Sequence, residues 1–125
     1  MNLSKWSSCL SLKNKQQKMT RLTILYPNIE GKKFDKDYYL NTHMPLSLKL
    51  QGAAVKHVSV EFGFSGGMPQ SEPPYTAICN FLYDSFDDFI AAFMPHAETL
   101  TNDIKNYTDI ETIIQFSEVK IDMQF

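Results

Sequence analysis

A chain of 125 residues with 43% hydrophobic content can close one core and is too short for two domains of ordinary size. Its net charge of -2 is uneven: Lys5, Lys13, Lys15 and Lys18 face no acid within the first 18 residues, which leaves an acidic body of -6. That balance speaks against nucleic acid as a partner, because phosphate binding needs clustered Lys and Arg, and no stretch approaches the roughly 18 consecutive apolar residues of a membrane span.

Residues 1–18, rich in Ser, Lys, Gln and Asn, show neither strand alternation nor an apolar stripe and read as a poorly ordered extension; the folded domain is expected over 19–125. Serines interrupt Trp6 to Leu12, so the segment makes a poor secretory signal, and Met19 is a candidate natural start. Cys9 and Cys79 match neither a CxxC pair nor a zinc-ligand spacing. Cys79, in an apolar run, reads as a core thiol, and a reducing, cytoplasmic setting is the simpler fit.

From Thr20 to Tyr26, Leu22, Ile24 and Tyr26 alternate with Arg21 and Thr23, which predicts the first strand. Asp35 is placed to cap a helix and Phe34 to pack on Tyr39 as a staple; that helix should run to about Leu50 and stop at Gly52. Val55 to Phe64 returns to period two as the second strand. Ser65 to Pro74 cannot continue it and is loose enough to form a flap over a site. Tyr75 to Tyr83 predicts the third strand, with Asn80 facing the helices alongside Ile78 and Leu82.

Ser85 and Asp88 form a capping-box pattern ahead of Phe86, Phe89, Phe93, Ala97, Leu100, Ile104 and Tyr107, the stripe of an amphipathic helix. Thr112 to Ile121 supplies the fourth strand. The order β-α-β-β-α-β defines an α+β, ferredoxin-like fold: a four-stranded antiparallel sheet with two helices on one face. Strands three and four are apolar on both sides, so a second copy is expected to cover the open face, giving a homodimer with a barrel-like centre.

Tyr39, His43, Leu46 and Leu50 fall at i, i+4, i+7 and i+11, so one stripe facing the sheet carries a phenol and an imidazole. His43 is the candidate catalytic acid/base, with Tyr39 or Tyr38 orienting or polarising a substrate oxygen. A buried histidine satisfied by a backbone carbonyl is the competing structural reading. Pro45 and Pro95 interrupt their helices and should free carbonyls near Asn41 and Ala91. His96 and Asn80 are secondary ligand-binding candidates, and Phe93 is the candidate ligand contact on the second helix. No metal-ligand spacing, GxGxxG, GxxxxGK[ST] or GxSxG occurs, so no metal and no cofactor is expected.

The runs LYPNIEGKKFDKDYYLNTHMPL (Leu25 to Leu46), PPYTAICNFLYDS (Pro73 to Ser85) and PHAETLTNDIKNYTDIETIIQFSEV (Pro95 to Val119) give the chain a recognisable pattern. It resembles the EthD family, named for ethyl tert-butyl ether degradation, over residues 19 to 122; FDKDYYLNTHMPL is the most specific part. The resemblance implies a dimeric α+β barrel and an association with oxidative degradation gene clusters, and it places Tyr38, Tyr39, His43 and Pro45 at the matching motif positions. The expected function is binding of a small apolar phenolic or carbonyl compound, by a cofactor-independent enzyme or oxidoreductase-associated factor. The alternative is a non-catalytic binding or accessory protein for a partner oxygenase.

Overall fold

The computed structural model describes residues 18–125, so nearly all of the extension and Cys9 lie outside the described residues. Its strands are β1 (Thr20–Pro27), β2 (His57–Phe62), β3 (Tyr75–Tyr83) and β4 (Ile113–Glu118), paired antiparallel in the order β2-β3-β1-β4. Between β1 and β2 runs a first helical segment: α1 (Lys36–Tyr38), a π-helical turn (Tyr39–His43) and α2 (Met44–Gln51). Between β3 and β4 runs a second: α3 (Phe86–Phe93), a 3-10 turn (Met94–His96) and α4 (Ala97–Asp103). This is the α+β, ferredoxin-like arrangement expected from the β-α-β-β-α-β order. Among the described residues no helix is long and apolar enough to cross a membrane.

The helix boundaries follow local chemistry. Asp35 accepts a hydrogen bond from the Tyr38 amide at 3.0 Å, and Phe34 packs on Tyr39 with ring centroids 5.0 Å apart, so cap and staple both form. Ser85 caps α3 by accepting from the Asp88 amide at 3.1 Å. Gly52 ends the first segment at φ 67°, a backbone angle that side chains disfavour.

Pro45 acts one turn earlier than it sits. Lacking an amide, and with a ring that would crowd the carbonyl of Asn41, it cannot continue a regular α-turn. The chain widens instead over Tyr39–His43, and the Met44 amide donates to the Tyr39 carbonyl five residues back. One extra residue in that turn rotates everything after it by one position. The buried side therefore reads Tyr39, His43, Met44, Ser47 and Gln51, and the expected Leu46 and Leu50 are only partly buried. Pro95 has a milder counterpart in the 3-10 turn Met94–His96.

Register settles which side of each strand meets the helices. Leu22 pairs with Phe81 and Phe116, Ile24 with Cys79 and Ile114, and Tyr26 with Ala77; these side chains form the core with the helical stripe Phe86, Phe89, Phe93, Ala97, Leu100 and Tyr107. Asn80 pairs with Thr23 and Ser59 on the other face, where it accepts a 2.7 Å hydrogen bond from the Thr23 hydroxyl. The expectation that Asn80 faces the helices is thus corrected: β3 is apolar on both sides, so alternation alone could not say which side points inward. The open face is also more polar than expected, with Arg21, Thr23, Asn80, Gln115 and Ser117 interleaved among Leu25, Ile78, Leu82 and Ile113.

The strand ends are shorter than the sequence suggests. β2 stops at Phe62, leaving Phe64 95% exposed, and β4 stops at Glu118, leaving Ile121 75% exposed. Segment 65–74 is not a flap over the cavity. The Asn28 amide and side chain donate to the Pro74 and Pro73 carbonyls, and a turn joins the Gly66 amide to the Ser71 carbonyl. None of these residues reaches the cavity described next.

Candidate functional site

A cavity of about 50 Å³ lies between the sheet and the two helical segments. Its floor is Leu22, Ile24 and Phe81 from the strands; Phe93 and Leu100 close it from the second segment, and Tyr39, His43, Met44, Ser47 and Gln51 from the first. The wall is largely apolar, with a few polar groups converging on it, the usual composition of a small-molecule site.

His43 is buried between two phenol rings, with centroid distances of 5.8 Å to Tyr39 and 4.6 Å to Tyr107. Its Nδ1 lies 2.8 Å from Oδ2 of Asp103, at the end of α4. Asp103 is itself held from the other side: the Tyr38 hydroxyl donates to its Oδ1 at 2.6 Å and the Asn106 amide at 3.0 Å. Tyr38, Asp103 and His43 therefore form one line running from the half-buried rim into the cavity.

That line fixes the chemistry of the imidazole. Burial raises the Asp103 carboxyl, but the hydrogen bonds from Tyr38, Asn106 and His43 outweigh it and hold the group below its ordinary value, so it is a carboxylate at neutral pH. A carboxylate at Nδ1 demands a proton there. Burial meanwhile lowers the His43 pKa, with Asp103 offsetting only part of the effect, so the ring is neutral near pH 7. The proton sits on Nδ1 and the lone pair on Nε2. Nε2 has no hydrogen-bond partner among the described residues, and no sealed, unpartnered side-chain nitrogen or oxygen exists there; the atom is therefore accessible, on a residue that lines the cavity.

The phenols contribute differently from one another. Tyr39 is 1% exposed and lines the cavity; burial raises its pKa, and its hydroxyl lies against Cys79 and Tyr26. The Tyr26 and Tyr107 hydroxyls pair at 2.8 Å, and burial raises both phenols. Burial also pushes the Cys79 thiol up to about 12. These groups stay protonated across the neutral range, which leaves His43 as the group in the cavity wall that can exchange a proton there.

Of the residues expected from sequence, Tyr39, His43 and Phe93 share the cavity wall and Tyr38 stands behind it through Asp103. His96 is half-buried in the turn after α3 and does not reach the cavity, and Asn80 is on the opposite face of the sheet. Asp103, Ser47 and Gln51 escaped the sequence reading. Pro45 marks a disturbance without saying whether the stripe shifts, since the stripe survives Pro95, so Ser47 and Gln51 were not fixed by counting; Asp103 carries no local signal, lying 60 positions from His43 and one before Ile104 of the apolar stripe.

The His43 shift has a consequence for stability. Its folded pKa lies below the ordinary 6.5, so below pH 6.5 the unfolded chain binds more protons than the folded one. This contribution is fully present above pH 6.5 and is lost as pH falls through the folded pKa. Asp103 adds a second loss below its ordinary 3.8. Melting temperature should therefore hold level between pH 8 and pH 7, as rough bounds, and decline on acidification from 6.5, a slope that His43→Gln should flatten.

Fold and site together define an α+β protein with a small apolar pocket between sheet and helices and a carboxylate-backed histidine in its wall. Residues 30–111 match the model of the EthD domain, and the chain belongs to the EthD family. An EthD-like protein from Ralstonia eutropha JMP134 is 37% identical, covering 86% of this chain and 96% of its own, with a TM-score of 0.82. An ethyl tert-butyl ether degradation (EthD) family protein from Bacillus halodurans C-125 shares 22% identity over 82% of this chain and 99% of its own, at a TM-score of 0.63. A dimeric protein of unknown function and ferredoxin-like fold from Bacteroides fragilis NCTC 9343 shares the fold at 10% identity, covering 81% of this chain and 96% of its own, with a TM-score of 0.50. No curated protein matches the chain.

Proposed function

We propose that this EthD-family protein binds a small, largely apolar phenolic or carbonyl compound, and that His43 Nε2 acts on its oxygen-bearing end as an acid/base, without metal or organic cofactor. The observation that carries this reading is the pairing of His43 Nδ1 with Asp103, which leaves a neutral, basic Nε2 at an apolar cavity. Exchanging a proton with a bound hydroxyl or an activated carbon is what such a group does best. Service in the oxidative breakdown of small molecules, as an enzyme or an oxidoreductase-associated factor, fits the family.

The volume limits how the ligand sits. About 50 Å³ is a third of the roughly 150 Å³ cavity that accepts benzene in another protein, so the polar end enters first and the apolar remainder extends toward the cavity mouth. Homodimer formation through the open sheet face, on the far side of the sheet from the cavity, belongs to the same reading; the exposed Ile113 beside Leu25 and Ile78 on that face favours it, and the Bacteroides protein of the same fold is dimeric. The free, buried Cys79 thiol suits a cytoplasmic setting.

Calorimetric titration with phenol tests the reading. The phenol hydroxyl should donate to Nε2, with affinity falling on acidification as Nε2 takes a proton. His43→Gln should weaken binding about 10-fold, the equivalent of one hydrogen bond of about 1.4 kcal/mol. Equal affinity in wild type and His43→Gln contradicts it.

A further inference from the structure

A second polar line enters the cavity from the opposite side to Asp103. The Tyr83 hydroxyl, fully buried on β3, donates to Oε1 of Gln51, and the Gln51 amide donates to the Ser47 hydroxyl oxygen at 3.0 Å. Every donor in this line points the same way, and it ends on Ser47, which is 5% exposed and lines the cavity. Ser47 Oγ receives one hydrogen bond and makes no other among the described residues, so its own proton is uncommitted. A serine inside a helix usually returns that proton to the carbonyl one turn back; here it does not. Ser47 stands four residues after His43, on the same side of the helical segment. Thr101 and Thr112 also reach the wall, but among the described residues no side-chain hydrogen bond orients their hydroxyls.

The widened turn before Pro45 thus places a base and an oriented hydroxyl donor side by side. We infer that Ser47 is an oxygen-holding catalytic residue and that the ligand class is an enolisable carbonyl compound, its carbonyl oxygen on Ser47 Oγ–H and its α-hydrogen toward His43 Nε2. This rests on the acid/base reading of His43 and makes it specific. In the step, the α C–H bond breaks and its proton goes to Nε2. The electron pair forms a carbon–carbon double bond, and the carbonyl π pair moves to oxygen as an enolate held by Ser47. Asp103 stabilises the imidazolium. Returning the proton to oxygen, to the same carbon or to a conjugated one completes an enolisation or isomerisation with no co-reactant. The hydroxyl is fed by two further donors, which strengthens it as the oxygen gains charge.

The test is hydrogen–deuterium exchange of butan-2-one in D₂O, followed by proton NMR with the buffer rate subtracted, together with the infrared carbonyl stretch of the bound ¹³C-labelled ketone. Ser47→Ala suits the helix but leaves the buried Gln51 amide without its acceptor, a cost of about 1 to 3 kcal/mol, so circular dichroism first confirms that the variant is folded. Wild type should exchange faster than buffer and His43→Gln should not. Ser47→Ala should lose about 10²-fold, the effect of removing one donor to an oxyanion, with the pH profile unmoved and the carbonyl stretch shifted to higher frequency. If Ser47→Ala matches wild type in rate and frequency while His43→Gln is silent, the Ser47 assignment is overturned and the His43 reading stands. If wild type shows no His43-dependent exchange, enolisation and the acid/base reading fall together.

Discussion

Replacing Asp103 by Asn is expected to lower the His43-dependent exchange of butan-2-one about 10² to 10⁴-fold while leaving the fold intact; the upper figure is the loss known for the comparable substitution behind a serine protease histidine. The direction follows from which oxygen receives which bond. Oδ1 accepts from both Tyr38 and Asn106, whereas Oδ2 meets only His43. An asparagine satisfies two donors only with its carbonyl at the Oδ1 position, which turns its amide toward His43 Nδ1. That nitrogen must then accept a hydrogen bond, the imidazole proton moves to Nε2, and the cavity loses its base. Deuterium exchange across the variant series, with circular dichroism as the fold control, measures this. Wild-type exchange in Asp103→Asn would mean that the carboxylate does not govern the tautomer.

The largest loss of stability is expected from Phe89→Ala. Phe89 is fully buried where α3 crosses the sheet, with ring centroids 4.9 Å from Phe116, 5.3 Å from Tyr83 and 5.3 Å from Phe93. Truncating a phenylalanine in such a packed setting costs about 3 to 5 kcal/mol, a large part of the roughly 5 to 15 kcal/mol that holds a domain folded. At about 4 °C or more per kcal/mol for a domain of this size, the melting temperature should drop by at least about 12 °C. Phe64→Ala removes the same side chain from a 95% exposed position and should change stability by no more than about 0.5 kcal/mol. Thermal denaturation of the two variants side by side checks the pair, and equal shifts would contradict the placement of the core. Because Phe93 forms part of the cavity wall and stacks on Phe89, loss of the latter should also loosen the pocket.

How far the sequence foretells this arrangement depends on whether the signal is local. Asp35 with Phe34, and Ser85 with Asp88, are caps written within a few residues, and both form. The stripe of the second helical segment is legible for the same reason: its spacing survives the short 3-10 turn after Phe93. In the first segment, regular helical counting picks Tyr39 and His43 correctly and then fails, because the turn before Pro45 holds one residue more than an α-turn. Leu46 and Leu50 give way to Ser47 and Gln51, and the polarity of the pocket changes with them. The face of Asn80 is not legible because a strand apolar on both sides carries no alternation to read. Asp103 belongs to the contacts that exist only after folding: the packing of the two helical segments, not any spacing, brings it to His43. That contact turns a buried histidine into a directed base.

Long-range ¹H–¹⁵N correlation of the imidazole nitrogens, with His43 assigned by comparison with His43→Gln, reads out the tautomer and charge of the ring. Near pH 7 the ring should be neutral and protonated on Nδ1, with Nε2 unprotonated and a titration midpoint below the ordinary 6.5. Addition of phenol should then move the Nε2 resonance. A proton found on Nε2, or a ring that remains charged at neutral pH, would mean that Asp103 does not make His43 a base toward the cavity.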